Sequence, residues 1–98
     1  MPTTSKKTQQ HVPGLKISKP WFVYILLCDD DSLYTGITTN LVNRLLKHQD
    51  GTGAKYTRGR GVKKIVFSEK HATRSEALVR EAEIKKLSRK EKVKLFKI

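Results

Sequence analysis

From Trp21 onward the chain is divided into blocks, and the apolar period of each block points to one kind of element. Trp21-Phe-Val-Tyr-Ile-Leu-Leu-Cys28 is an unbroken β-branched and aromatic run, the composition of a buried strand. Asp29-Asp-Asp-Ser32 follows as a turn, and Leu33-Tyr-Thr-Gly-Ile37 returns as a second strand, which makes a hairpin. Gly36 weakens that strand unless another group must approach its backbone closely. A third strand is predicted over Lys64-Ile-Val-Phe-Ser68.

The helical blocks carry their own start signals. Thr38-Thr39-Asn40 offers capping oxygens, and Leu41 to about Gln49 reads as a short helix stopped by Asp50-Gly51. Thr73 and Glu76 have the spacing of a capping box, and the helix they open is predicted to run to about Leu87. A last basic segment, Arg89 to Ile98, reads as a short helix with Val93 and Phe96 facing inward. Gly51 to Gly61, between the first helix and the third strand, reads as a loop rich in glycine and positive charge. The expected fold is therefore α/β in the α+β sense, with a small three-stranded, mostly antiparallel sheet flanked by helices.

Five polar groups fall on positions that the pattern assigns to the interior. On the helix opened by Thr73, residues Ala77, Leu78, Ala82 and Ile84 form the apolar arc, with Glu81 near its centre. On the helix from Leu41, His48 lies about 20° and Arg44 about 60° from Leu41, so both edge its apolar stripe. Tyr24 and Tyr34 occupy the paired strands. Burying such groups without partners costs several kcal/mol, so the set requires either mutual pairing or a function. A buried Glu81–Arg44 ion pair that only fixes helix packing is one reading; a reactive site is the other.

Composition narrows the choice. The 98 residues suffice for one core, and 21 basic against 9 acidic residues leave a net charge of +12. Such charge opposes compaction unless a polyanion relieves it, and nucleic acid is the expected partner, with ribosomal RNA or an anionic membrane surface as rivals. Residues 1–20 contain no acidic residue and read as a flexible basic arm, either adding phosphate contacts or inert; residues 21–98 read as the folded domain. Cys28 is the sole cysteine and is expected to be a buried thiol. The basic, polar N-terminus lacks the apolar stretch of a secretory signal, and the run Trp21–Cys28 is far too short to cross a membrane. A cytoplasmic protein without a membrane segment is expected.

Tyr24, then Tyr34-Thr35-Gly36, then Arg44 with His48 four residues on, then a carboxylate on a later helix, form an ordered set that resembles the GIY-YIG nuclease domain. The resemblance spans about Trp21 to Leu95. It is strongest to the small stand-alone UPF0213 group, through Leu33-Tyr-Thr-Gly-Ile-Thr-Thr39, Gly53-Ala-Lys-Tyr-Thr57 and Arg74-Ser-Glu-Ala-Leu78. Phe22 and Val23 replace the glycine and isoleucine of the first motif, and Thr35 replaces the isoleucine of the second.

What the resemblance implies is metal-dependent endonucleolytic hydrolysis of DNA phosphodiesters; low sequence specificity, with selection for DNA structure, is expected alongside it. It implies that Glu81 holds one divalent ion, Mg²⁺ or Mn²⁺, and that Tyr24 orients or deprotonates the attacking water. Tyr34 would support the water or the scissile phosphate, Arg44 would bind that phosphate, and His48 would help Tyr24 lose its proton. A free phenol, with a pKa of about 10, is a poor base at neutral pH, so positive charge from Arg44 and the metal is expected to lower it. A non-catalytic DNA- or RNA-binding module of the same fold is the alternative.

The loop Gly51–Gly61 lacks the Gly-Lys-Ser/Thr ending and the strand-to-helix setting of a P-loop, which excludes a nucleotide cofactor bound there. Its Lys55, Tyr56, Arg58 and Arg60 are expected to grip the nucleic-acid backbone, with Tyr56 stacking on a base. The basic residues from Arg89 to Lys97 read as a solvated face.

Overall fold

Trp21–Cys28 forms the central strand, β1, and it is covered on both faces, which is why its sequence runs apolar without alternation. Strand β2 (Leu33–Thr38) and strand β3 (Val62–His71) pair with it antiparallel in the order β2-β1-β3. The structure, a computed structural model, describes residues 19–97. The expected N-terminal arm therefore lies outside the described residues except for Lys19 and Pro20.

The hairpin turn is built as the sequence predicts, with Asp31 in the left-handed region at φ 68° and Cys28 N–H donating to the Ser32 carbonyl at 2.9 Å. β3 is longer than the predicted Lys64–Ser68. The eight residues of β1 offer backbone partners along their whole length, so pairing runs from Trp21↔His71 to Cys28↔Val62. Main-chain hydrogen bonding, not side-chain pattern, sets the length of β3. The register shifts between Ile25 and Leu26 and again between Leu27 and Cys28.

Alternation along β1 divides the molecule into two layers. One face carries Val23 and Ile25, which pack with Ala77 and Ile84 of helix α3 (Arg74–Lys85). Trp21, Leu33, Ile37, Val66 and Phe67 close around them, with Leu95 and Phe96 from beyond helix α4 (Arg89–Lys94). Leu95 thus joins Phe96 against this core, while Val93, half-buried like both, is not among the residues packed on it. α3 stops at Lys85 rather than Leu87, because Lys86 and Leu87 make i→i+3 closing bonds and Ser88 opens a capping box with Glu91. Thr73 Oγ1 caps α3 by accepting from Glu76 N–H at 3.2 Å, while the Glu76 carboxylate reaches Ala72 N–H instead of the cap residue.

The other face carries Tyr24, Leu26 and Cys28 of β1. Helix α1 (Leu41–Gln49), capped by Asn40, supplies His48 to it. A four-residue helix, α2 (Lys55–Arg58), lies within the segment predicted to be loop and meets His48 from the other side. Cys28 is a free, buried thiol. Among the described residues no helix is long and apolar enough to cross a membrane.

Candidate active site

Tyr24 and Tyr34 project from the same face of the hairpin, because Tyr24 pairs with Gly36 and Leu26 with Tyr34 in the antiparallel register. A Cβ on Gly36 would stand 2.5 Å from the Tyr24 hydroxyl and 3.1 Å from Tyr34 Cε2. The glycine is what lets the Tyr24 ring lie across β2, and this is the close approach expected at that position. The two phenol rings are 6.4 Å apart between centroids, and Tyr34 lies 5.1 Å from the His48 ring.

Tyr24 and His48 are both buried, each 1% exposed. The Tyr24 hydroxyl is 3.0 Å from His48 Nε2, and His48 Nδ1 is 2.8 Å from Thr57 Oγ1. Thr57 is equally buried and also bonds the Ala54 carbonyl at 3.1 Å. Gly53 presses its backbone onto the imidazole, since a Cβ there would come 2.6 Å from Nδ1.

Burial disfavours the charged imidazolium and pushes the His48 pKa below its ordinary value, and the Arg44 guanidinium pushes it the same way. Burial raises the Tyr24 pKa, and the Tyr34 phenol and the Glu81 carboxylate add to that, while Arg44 opposes it. The expected lowering of Tyr24 by Arg44 is thus outweighed, because desolvating a phenolate costs more than one adjacent cation returns. His48 is therefore a neutral ring beside a protonated phenol.

Arg44 approaches from one turn earlier on α1, where its Nη2 donates to the Gly53 carbonyl at 3.3 Å. Its Nε is buried without a partner. An unpaired buried N–H on a guanidinium is costly, and an anion brought to it would remove that cost.

Glu81 differs from its sequence reading. Only Ala77 and Ile84 of α3 are buried among the predicted arc, and Leu78 and Ala82 are exposed. The helix meets the sheet along a narrow seam, and Glu81 lies about 50° from it, at the border rather than the centre. Its side chain is 18% exposed and pairs with Lys85 at 3.4 Å. The buried Glu81–Arg44 ion pair does not form among the described residues: Glu81 turns to Lys85 and Arg44 to Gly53.

The basic segment divides into two kinds of residue. Lys55 and Arg58 are exposed. Arg60 is exposed and also makes contacts within the protein: its Nε pairs with Asp30 at 3.2 Å, Nη1 donates to the Tyr56 carbonyl at 2.8 Å, and its guanidinium lies 4.1 Å over the Tyr56 ring. Tyr56 in turn is 5.6 Å from Tyr34, so its ring continues the aromatic group of the site to the surface. Sequence reasoning missed Thr57, Gly53 and Ala54. The available signals were the family-like stretch Gly53-Ala-Lys-Tyr-Thr57 itself and, within it, a small β-branched residue between Tyr56 and Arg58, which a helical turn aims away from its charged neighbours.

A donor set of one accessible carboxylate fits a hard divalent ion that keeps most of its waters and takes further oxygens from a phosphate. It does not make a protein cage, since no three His, Cys, Asp or Glu side chains cluster among the described residues. The Glu81–Lys85 contact is a partly exposed i,i+4 pair, worth little and open to displacement by such an ion.

Comparison with known proteins agrees with this architecture. The GIY-YIG catalytic domain model matches residues 20–94. The chain is 53% identical over 75 residues to a UPF0213 protein of Oceanobacillus iheyensis, covering 76% of this chain and 87% of that one. A UPF0213 protein of Clostridium perfringens is 54% identical over 75 residues, covering 76% and 81%. The solution NMR structure of a UPF0213 protein from Bacillus halodurans is 47% identical with a TM-score of 0.50, covering 78% of this chain and 81% of that one. That of a protein from E. faecalis is 44% identical with a TM-score of 0.54, covering 83% and 88%.

Proposed function

This chain belongs to the GIY-YIG family, and we propose that it is a metal-dependent endonuclease hydrolysing DNA phosphodiester bonds in the cytoplasm, selecting for DNA structure more than for sequence. The observation that carries the proposal is the Tyr24–His48 hydrogen bond of 3.0 Å beside an Arg44 whose buried Nε has no partner. It supplies a proton acceptor and an anion-binding group side by side.

In this reading Tyr24 takes a proton from the attacking water as it passes its own to His48 Nε2. A neutral His48 with its own hydrogen on Nδ1 can receive it there. Arg44 binds non-bridging oxygens of the scissile phosphate, where negative charge develops as the water oxygen attacks phosphorus and the leaving oxygen departs. Tyr34 supports the water or the phosphate. Glu81 would hold one Mg²⁺ or Mn²⁺, which when bound neutralises charge on the reacting phosphate. Lys55 and Arg58 contact the backbone of the flanking nucleic acid, and Arg60 acts through Tyr56, keeping its ring at the mouth of the site. The net charge of +12 supplies general attraction.

The test is cleavage of single-stranded, duplex and branched DNA with Mg²⁺ or Mn²⁺. Glu81→Ala is expected to lower cleavage by roughly 10³-fold while DNA binding survives or tightens, because a repelling carboxylate is removed. Lys55→Ala with Arg58→Ala is expected to weaken binding to all sequences and flatten its salt dependence. Undiminished cleavage by Glu81→Ala removes the metal assignment. Binding without cleavage under either metal leaves a non-catalytic DNA- or RNA-binding module.

A further inference from the structure

We propose that Thr57 is a positioning residue that fixes the tautomer of His48, so that Nδ1 carries the hydrogen and Nε2 is left to receive the Tyr24 proton. The inference deepens the nuclease reading and depends on it for its catalytic meaning, because the tautomer affects rate only if Tyr24 hands a proton to the ring.

The direction of the chain follows from its Thr57 end. There the Thr57 hydroxyl lies 3.1 Å from the Ala54 carbonyl, which can only accept, so the hydroxyl hydrogen points to it. Thr57 Oγ1 is then an acceptor toward His48 Nδ1 at 2.8 Å. At the other end the Tyr24 hydroxyl, as buried as the ring, has His48 Nε2 as its partner at 3.0 Å. With the ring hydrogen on Nδ1, Nε2 is the acceptor and Tyr24 O–H donates to it. The line then runs one way: Tyr24 O–H to Nε2, Nδ1–H to Thr57, Thr57 O–H to Ala54.

The line is also held rigidly. Thr57 and His48 are both 1% exposed, so water does not compete for Nδ1. Gly53 brings α2 against the ring, and a Cβ there would meet His48 Cγ at 2.8 Å and Cα at 2.9 Å. Without Thr57 the neutral ring is free to place its hydrogen on Nε2, where it would face the Tyr24 hydroxyl donor-first and block the transfer.

The experiment reads the tautomer apart from the activity. Long-range ¹H–¹⁵N correlation on the labelled full chain reports which His48 nitrogen is protonated, and the expected result is Nδ1–H. Thr57→Val keeps the branched shape and removes the acceptor; it is expected to shift His48 toward the Nε2–H form and lower kcat by roughly 10–100-fold with KM unchanged. Thr57→Ser is expected to restore both. An Nε2–H ring in the wild type, or an unchanged tautomer in folded Thr57→Val, overturns the proposal. Should the valine variant not fold, the wild-type and serine spectra decide it. Absence of cleavage by the wild type on any DNA sinks the nuclease reading instead, while the spectra still judge Thr57.

Discussion

On one face of β1, Val23 and Ile25 meet Ala77 and Ile84 in a dry layer whose only buried polar side chain, among the described residues, is Thr35. On the other, one residue away along the same strand, Tyr24 joins a line of hydrogen bonds through His48 to Thr57. Both faces are fully covered. The first is stabilised by area removed from water, which tolerates any shape that fills the space. The second is stabilised only if every donor finds an acceptor, and so it fixes orientation as well as position. Two side chains a single residue apart therefore answer to different physics, and substitution on either face should be felt in a different measurement.

The largest effects should come from exchanging the two kinds of damage. Ile25→Ala is expected to cost about 2–5 kcal/mol of stability, while cleavage per folded molecule stays near that of the wild type. Tyr24→Phe is expected to reduce cleavage by roughly 10²–10⁴-fold and stability by only about 1–3 kcal/mol, the latter from the unpaired His48 nitrogen. Chemical unfolding followed by rates measured where each variant is folded would separate them. Equal loss of activity in both variants would erase the distinction between the faces.

A smaller effect follows from pH. Because the folded pKa of His48 is depressed below the ordinary 6.5, the unfolded chain binds more protons just below that value. The contribution of His48 to stability is then complete above about pH 6.5 and is lost as pH falls through the folded value. Cleavage should fall over the same lower range as Nε2 becomes protonated. An NMR titration that places the His48 midpoint at or above 6.5 would show that the ring is not held neutral.

The smallest effect lies on the dry face. Thr35 Oγ1 is buried without a partner opposite Ile25. Thr35→Val should therefore raise stability by about 1 kcal/mol and leave cleavage unchanged, with thermal unfolding as the measurement. Destabilisation would mean that the hydroxyl has a role on the dry face after all.

How much of this was legible in the sequence varies by element. The limits of β1 and α1 could be read directly, since a strong apolar run and a cap-to-glycine frame are local signals. Glu81 could be picked from its charged neighbours, although its place on the helix could not. A wheel assumes that every apolar residue faces inward, whereas α3 touches the sheet along a seam that leaves Leu78 and Val79 exposed. For Arg60 the sequence shows a charge and not its partner Asp30, thirty residues earlier.

The sequence by itself determined the limits of β1 and α1, the presence of the hairpin, the third strand and the two later helices, the basic composition, and the ordered set Tyr24, Tyr34, Arg44, His48 and Glu81. These follow from periodicity, composition and motif order, which need no knowledge of distant contacts. Tertiary structure alone decided that Gly53 and Thr57 belong beside His48, that Arg44 faces Gly53 instead of Glu81, and that the Tyr24 hydroxyl meets His48 Nε2. Each depends on which acceptor lies within about 3 Å of a buried donor, and hydrogen bonds are too short-ranged and directional for residue spacing to specify.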